Sequence, residues 1–424
     1  MTISKMYGTA VKNVYTNDQS HYLRKRPMEI HPVYQWRKIT PEDGIYLFGY
    51  YDRNPWNEDQ TLHLAMHIPQ ETRLPQPGET AEIGVIGKEG YRPLVTTRTW
   101  CHQQGCMELF LPRRPGCFVY NDFDLQERKP VARIYQLGKG VVDRFEYPIY
   151  AISPDGRWGV SLNFGRIPRR GYSYADTPVP TDQWHPADLD GEGLRLIDLD
   201  TGSSKLIVSY RSMLERHPYG YGMEEFYIWL NHAIFNCDST RLLWLFRQWT
   251  DPIGQSCMWH TFMYTCSLTG EDAECILPEV YWKNAISHQI WGRTPREILV
   301  DANWRGTGHE AVVFDESRRP FLARRISKGH GAMSHMVFSP DGKWLLSDSY
   351  PDENRRQKLI LIETATGNME TLGTFRHETV PGSSGDVRCD LHPRWSPDGK
   401  IVTVDSIHDG RRAIYQLDLS PIIK

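Results

Sequence analysis

One four-residue turn recurs along this chain and constrains its fold more than any other feature. Ser153-Pro154-Asp155-Gly156 precedes RWGVSLNF, Ser339-Pro340-Asp341-Gly342 precedes KWLLSDSY, and Ser396-Pro397-Asp398-Gly399 precedes KIVTVDSI. Proline presets φ at the second turn position and glycine supplies a positive φ, so each copy joins two antiparallel strands. Weaker copies stand at Asn57-Glu58-Asp59-Gln60, Asn236-Cys237-Asp238-Ser239 and Gly292-Arg293-Thr294-Pro295, each before a strand-like run. Outer strands keep the rhythm, with Leu194–Leu199 before Asp200-Thr201-Gly202 and Leu359–Glu363 before Ala365-Thr366-Gly367. The unit is two inner strands, a variable loop, a third strand, a turn and a last strand. Helix-period patterning is scarce. Units of this kind arranged radially make a β-propeller, which leaves few open sheet edges.

Seven units start roughly at Ile45, Tyr91, Val142, Phe226, Asn284, Gly331 and Asp386. The expectation is an all-β, seven-bladed β-propeller of four-stranded antiparallel blades, forming one domain over residues 1–424; six or eight blades remain open. The last unit ends at its third strand, AIYQLDL. A segment from about residues 1–44, with YQWRKI as its strand, is expected to complete that blade and close the ring. The longest insertion, Pro168 to Leu194, exceeds a hairpin loop and is expected to cover a site.

Composition narrows the partners. Hydrophobic residues make up 40% and charged residues 24%, a globular profile. The net charge of −3 with no basic block argues against nucleic acid. MTISKMYGTAVKNVYTNDQ has no apolar run behind a basic head, and no 18-residue apolar segment follows, so no signal peptide and no membrane contact are expected. The expected compartment is cytoplasmic, or secreted if a leader has been removed. Eight scattered cysteines read as free thiols or a metal ligand rather than disulfides. Aromatic residues, at 12%, suit sugar stacking and short strands equally.

A histidine lies four residues before the turn opener in four successive units: His232, His288, His335 and His392. Equivalent inner-strand positions meet around the channel, so four imidazoles are expected at one end of it. Asp390 and His392 share a strand side. Together His288, His335, Asp390 and His392 form a candidate three- or four-ligand site for a divalent metal (Zn, Mn or Ca). The plainer alternative is that these histidines hydrogen-bond between blades.

Several ordered segments resemble the propeller polysaccharide lyases: the ulvan lyases, the rhamnose–glucuronate lyases and, more distantly, the oligogalacturonate lyases. They are Phe48–Asp52, Gln103–Met107, Tyr150–Gly156, Asn163–Arg166 with Gly171–Tyr174, Asn231-His232, Arg247–Trp249, Ser287-His288 and Asp390–Trp395. The resemblance implies β-elimination on the O4 side of a uronic acid, and a metal near the histidine-rich end. By resemblance Tyr150 is the base and then the acid, with Arg166 close enough to favour its phenolate. His102 neutralises the carboxylate, Asn231 and His232 hold it, and Arg247 clamps from outside. Tyr150 is one residue out of the histidine register, so a bulge or a strand-mouth position must turn it inward. His63 and His67 are substitutes for His102, Arg169-Arg170 reads as a solvated loop, and neither Cys101 nor Cys106 reads as catalytic. The expected partner is a uronic-acid-containing glycan; the oligomeric state is open. The alternative is a non-catalytic binding scaffold. A hydrolase would need two inward carboxylates, and only Asp390 stands out; a peptidase would need a GxSxG elbow, which is absent.

Overall fold

A computed structural model describes residues 34–179, 184–219, 226–249, 259–282, 286–303, 308–328, 333–377 and 385–423. They form seven four-stranded antiparallel sheets, each with consecutive strands hydrogen-bonded in order. Blades 1 to 6 run over Ile45–Thr97, Leu109–Phe145, Ala151–Ser209, Tyr227–Leu277, Ser287–Arg325 and Met336–Arg376. Blade 7 takes three strands from Arg394–Asp418 and its fourth from Arg37–Lys38. Arg37 pairs with Gln416 and Lys38 with Tyr415. Just before this strand, the Trp36 indole donates to the Leu372 carbonyl at 3.1 Å and the Tyr34 hydroxyl meets Glu370. The closing strand therefore also ties blade 7 to blade 6. Residues 1–33 of the expected closing segment lie outside the described residues, as do the expected unit starts Asn284 and Gly331.

The recurrent turn explains its own sequence. The Ser153, Ser339 and Ser396 hydroxyls donate to the aspartate two residues on at 2.5, 2.7 and 2.6 Å. Gly156, Gly342 and Gly399 take φ of +69°, +68° and +71°, where a Cβ is strained. The residue before the opener is aromatic in four blades: Phe235, Trp291, Phe338 and Trp395. The two indoles donate to the preceding blade, Trp291 to the Ile234 carbonyl at 3.1 Å and Trp395 to Val337 at 3.2 Å. Aromatic bulk thus fills the wedge between blades while its one polar atom is satisfied. Trp100, Trp229 and Trp244 are also fully buried, so much of the aromatic content is core.

Two expected unit starts are corrected. Tyr91 and Val142 sit in the outer strands Gly90–Thr97 and Gly140–Phe145 of blades 1 and 2. Turns over residues 88–89 and 137–139, closed by Gly90 and Gly140, fold these runs back onto the preceding strands, which moves the next inner strand to Leu109 and Ala151.

The long insertion of blade 3 crosses one end of the channel. Its Gly171 carbonyl accepts from the Gln103 amide at 3.1 Å, Asp176 takes both arms of Arg98 at 3.1 Å, and the Arg169 guanidinium donates to the Pro75 carbonyl. A Cβ on Gly171 would lie 1.9 Å from the Asp386 carbonyl oxygen, so only glycine passes there. The lid thereby leans on blades 1, 2 and the approach to blade 7. Arg169-Arg170 is part of this seal, not a solvated loop. Among the described residues no helix is long and apolar enough to cross a membrane.

Candidate functional site

Three of the four register histidines have left-handed backbone: His232 at φ +51°, His288 at +47° and His392 at +43°. Side chains with a Cβ seldom occupy this region, at a cost of roughly 1–3 kcal/mol each. In blades 4 and 5 the conformation coincides with a bulge, where strand pairing skips between Asn231 and Ile234 and between Ser287 and Ile290. A bulge breaks the in-and-out alternation and re-aims one side chain. The rings converge as expected. His335 lies 4.4 Å from His288 and 4.2 Å from His392, centroid to centroid. Tyr50 joins the fourth, stacking on His232 at 5.3 Å and meeting His392 at 4.8 Å.

Nitrogen and oxygen atoms of His335, Asp390 and His392 come within 4.8 Å of one another, all buried. The His392 Nδ1–H donates to the Gly49 carbonyl at 2.8 Å, which leaves a lone pair on Nε2; that atom is buried without a partner. His335 donates from Nδ1 to Asp348 at 2.9 Å. Two imidazoles fixed in this tautomer beside a carboxylate fit a divalent metal, and the partners on their far nitrogens are those such ligands need. Burial and His335 push His392 well below the usual histidine range. Burial opposes charge on His335, but Asp348 outweighs it and holds the ring above that range. Arg388 grips Asp390 at 2.6 and 2.8 Å and keeps its carboxyl ionised against burial. His288, expected among the ligands, is engaged at both nitrogens, by Asp301 at 3.0 Å and the Tyr350 hydroxyl at 3.0 Å, and stands outside the triad.

Inward carboxylates beyond Asp390 do exist, which corrects the sequence reading. Asp301, Asp348 and Asp405 are buried, and each follows its turn opener by nine residues (301−292, 348−339, 405−396). Asp348 also accepts from the His335 and His392 amides at 2.8 and 3.0 Å, Asp301 accepts from His288 and His309, and Asp405 pairs with Arg394 at 2.7 Å. All three are spent orienting neighbours. A hydrolytic acid–base pair needs carboxylates free to act.

Tyr150 precedes the first strand of blade 3 and reaches the channel from the strand mouth, without a bulge. Its hydroxyl donates to Asn231 Oδ1 at 2.9 Å and accepts from Gln104 Nε2 at 3.1 Å. Asn231 Oδ1 also accepts from the His232 amide at 2.8 Å, so Tyr150, Asn231 and His232 form one chain. The cation beside Tyr150 is Arg53, 5.4 Å above the ring, rather than Arg166. Burial raises the Tyr150 phenol well above its ordinary value, against the pull of Arg53. Arg166 is spent elsewhere, on the carbonyls of Ile228, His185 and Pro186 at 2.8–3.3 Å. His102 turns its Nε2 to the Gln70 carbonyl at 3.1 Å and lies against Trp100, and burial lowers it to about 3. His63 is buried against Thr403, and His67 stacks on Tyr46. None of these four histidine or arginine side chains contacts Tyr150.

At the mouth, Arg170 and Arg247 lie over the Trp259 ring at 5.5 and 5.1 Å, and Arg247 reaches the Tyr172 hydroxyl of the lid at 3.5 Å. Behind Gln104, Glu108 is 1% exposed and its carboxyl is raised to about 7 by burial, against hydrogen bonds from Cys106 and the charge of Arg53. Its folded value exceeds the ordinary 4.5, so its stabilising contribution is complete below pH 4.5 and lost as pH rises through 7. Glu108→Gln is expected to gain on the parent by up to about 3 kcal/mol between pH 5 and pH 8. Urea unfolding at both values measures it, and an equal difference at the two would remove the claim.

No protein-family description and no curated protein matches this sequence. Among solved structures, an oligogalacturonate lyase from Vibrio parahaemolyticus superposes with a TM-score of 0.56 at 14% identity, covering 93% of this chain and 96% of that one. An oligogalacturonate lyase in complex with manganese gives 0.60 at 16% identity, over 91% and 93%. TolB from Acinetobacter baumannii gives 0.40 at 15% identity, over 82% and 78%. The likeness to the two lyases, at these identities, shows the propeller fold alone.

Proposed function

We propose that the chain is a carbon–oxygen lyase that cleaves the 4-O-glycosidic bond to a uronic acid by β-elimination at the lidded end of its channel. The observation that carries this reading is the set of three histidines held in left-handed backbone whose rings converge with His335 on Tyr50 and Tyr51. Several strained positions at one place are the mark of a site rather than a core. The two oligogalacturonate lyases among the structural neighbours support it.

In such a reaction the C5–H bond breaks and its electron pair forms the C4=C5 double bond. The C4–O4 bond breaks with its pair on O4, which takes a proton. The C5 proton is scarcely acidic until the adjacent carboxylate is neutralised. Arg247, with Arg170 beside it on Trp259, is suited to that carboxylate. A divalent metal on His335, Asp390 and His392 would add Lewis-acid neutralisation there. Burial and Arg247 hold His232 well below its usual range, so the ring is neutral and offers a lone pair, as a weak base that needs the uronate carboxylate neutralised before it takes the C5 proton. Tyr150 stays protonated and suits donation to O4. Asn231 joins the two, and Gln104 fixes the phenol from its other side.

Tyr150→Phe keeps the ring that stacks on Phe164 at 5.7 Å and removes only the hydroxyl. Its expected effect is a loss of about 10²–10⁴-fold in kcat. The readout is ultraviolet absorbance of the unsaturated product from pectin, ulvan, gum arabic and glycosaminoglycan fragments. No product from any of these would sink the lyase reading and leave a binding propeller.

A further inference from the structure

A cavity of about 220 Å³ opens between blades 2 and 3, away from the channel histidines. Its floor is apolar, formed by Pro130, Pro148, Leu162, Phe164 and Leu206. Its polar groups come from different elements. The Arg195 guanidinium carbon sits over Tyr147, 4.2 Å from the ring centroid, a contact that holds it without using its N–H donors. Among the described residues no carboxylate pairs with Arg195. Lys129 is already spent on Glu127 at 2.9 Å and Glu146 at 3.6 Å. Glu192, with its side chain 25% exposed, Asn163 and Ser161 also line the cavity, as does the Glu146 that Lys129 holds.

These groups specify a ligand. A fixed, uncompensated guanidinium asks for a carboxylate or similar anion. A carboxylate and an amide nearby suit hydroxyl groups, and the apolar floor suits the face of a ring. The volume is below that of drug-sized pockets and fits one ring rather than a chain. We propose that the cavity is a second binding site, for a single-ring sugar acid, and that its occupation steadies the lid.

The link to the lid is structural. Both roots of the insertion, Asn163-Phe164 and Gly191–Gly193, are walls of the cavity. Phe164 stacks on the lid's Tyr174 at 4.7 Å and on Tyr150 at 5.7 Å. The Glu192 carboxylate is 3.7 Å from Arg166 Nε, and Arg166 in turn holds the lid carbonyls of His185 and Pro186. A ligand touching both roots binds the closed arrangement better than an open one, so closure and binding favour each other. This inference does not depend on the chemistry proposed for the channel.

The test uses the full chain, titrated calorimetrically with glucuronate and galacturonate, with glucose as the uncharged control. The acids are expected to bind at least about tenfold more tightly than glucose. Arg195→Ala is expected to weaken them by about tenfold or more and Arg195→Lys by less, while Arg247→Ala, which removes the channel-mouth cation, leaves this Arg195-dependent binding in place. Saturating acid is expected to slow tryptic cleavage at Arg169-Arg170 several-fold. Absence of saturable binding, binding indifferent to Arg195→Ala in a variant with unchanged thermal midpoint, or binding lost only in Arg247→Ala would each overturn the proposal. Product formation from polymers is read separately, so failure here leaves the lyase reading standing.

Discussion

Arg166→Ala is expected to lose about 3–5 kcal/mol of folding stability and to release the lid from blade 4. The side chain is 1% exposed, and its guanidinium serves three carbonyls: Ile228 at the start of blade 4, and His185 and Pro186 in the lid. Its face lies over Tyr227 at 4.8 Å and Tyr210 at 5.8 Å. Alanine leaves the buried Ile228 carbonyl without a donor, releases the partly buried His185 and Pro186 carbonyls of the lid, and strips Glu192 of its nearby cation. Each unmet buried group costs about 1–3 kcal/mol, not additively. Lysine cannot replace the fork of donors, so Arg166→Lys should recover only a minor part. Denaturant unfolding and trypsin sensitivity of the lid are the measurements. A variant that unfolds where the parent does but has lost its turnover would return Arg166 to a direct role in chemistry.

The same residue shows where sequence reading reaches and where it stops. The turn SPDG is legible because its serine, proline, aspartate and glycine each meet a local backbone demand, and local demands repeat with the blade. The four-histidine register and the closing strand around Arg37 follow from that repeat by geometry. Blades 2 and 3 start one strand beyond Tyr91 and Val142, because the runs that begin at Gly90 and Gly140 read like inner strands but pair as the outermost strands of blades 1 and 2. The partners of Tyr150 were a different matter. Arg53 and Gln104 arrive from connections far away in the chain, and no spacing rule links them to Tyr150. Arg166 was placed beside Tyr150 by resemblance, whereas the path of the lid decides which carbonyls its guanidinium finds. Asp301, Asp348 and Asp405 were legible all along by the alignment that found the histidines. They were missed because a lone aspartate in an apolar strand draws attention only when its partner is known.

Of those three aspartates, Asp348 carries the most. Asp348→Ala is expected to cost about 3–5 kcal/mol and to weaken divalent-metal binding by about 10–100-fold. One carboxylate accepts from the His335 amide at 2.8 Å, from His335 Nδ1 at 2.9 Å and from the His392 amide at 3.0 Å. It therefore fixes both histidines of the candidate triad, including His392 in its strained backbone. Without it, His335 loses the partner that sets its tautomer, and its Nε2 lone pair is no longer reserved for a ligand. Asp348→Asn keeps one acceptor oxygen without the charge, so it should retain more of the fold while still losing metal affinity. Urea unfolding gives the first quantity, and calorimetric titration of the metal-stripped chain with Mn²⁺ or Zn²⁺ gives the second. If Asp348→Ala unfolds with the parent and takes up either ion as tightly, the carboxylate does not organise this end of the channel.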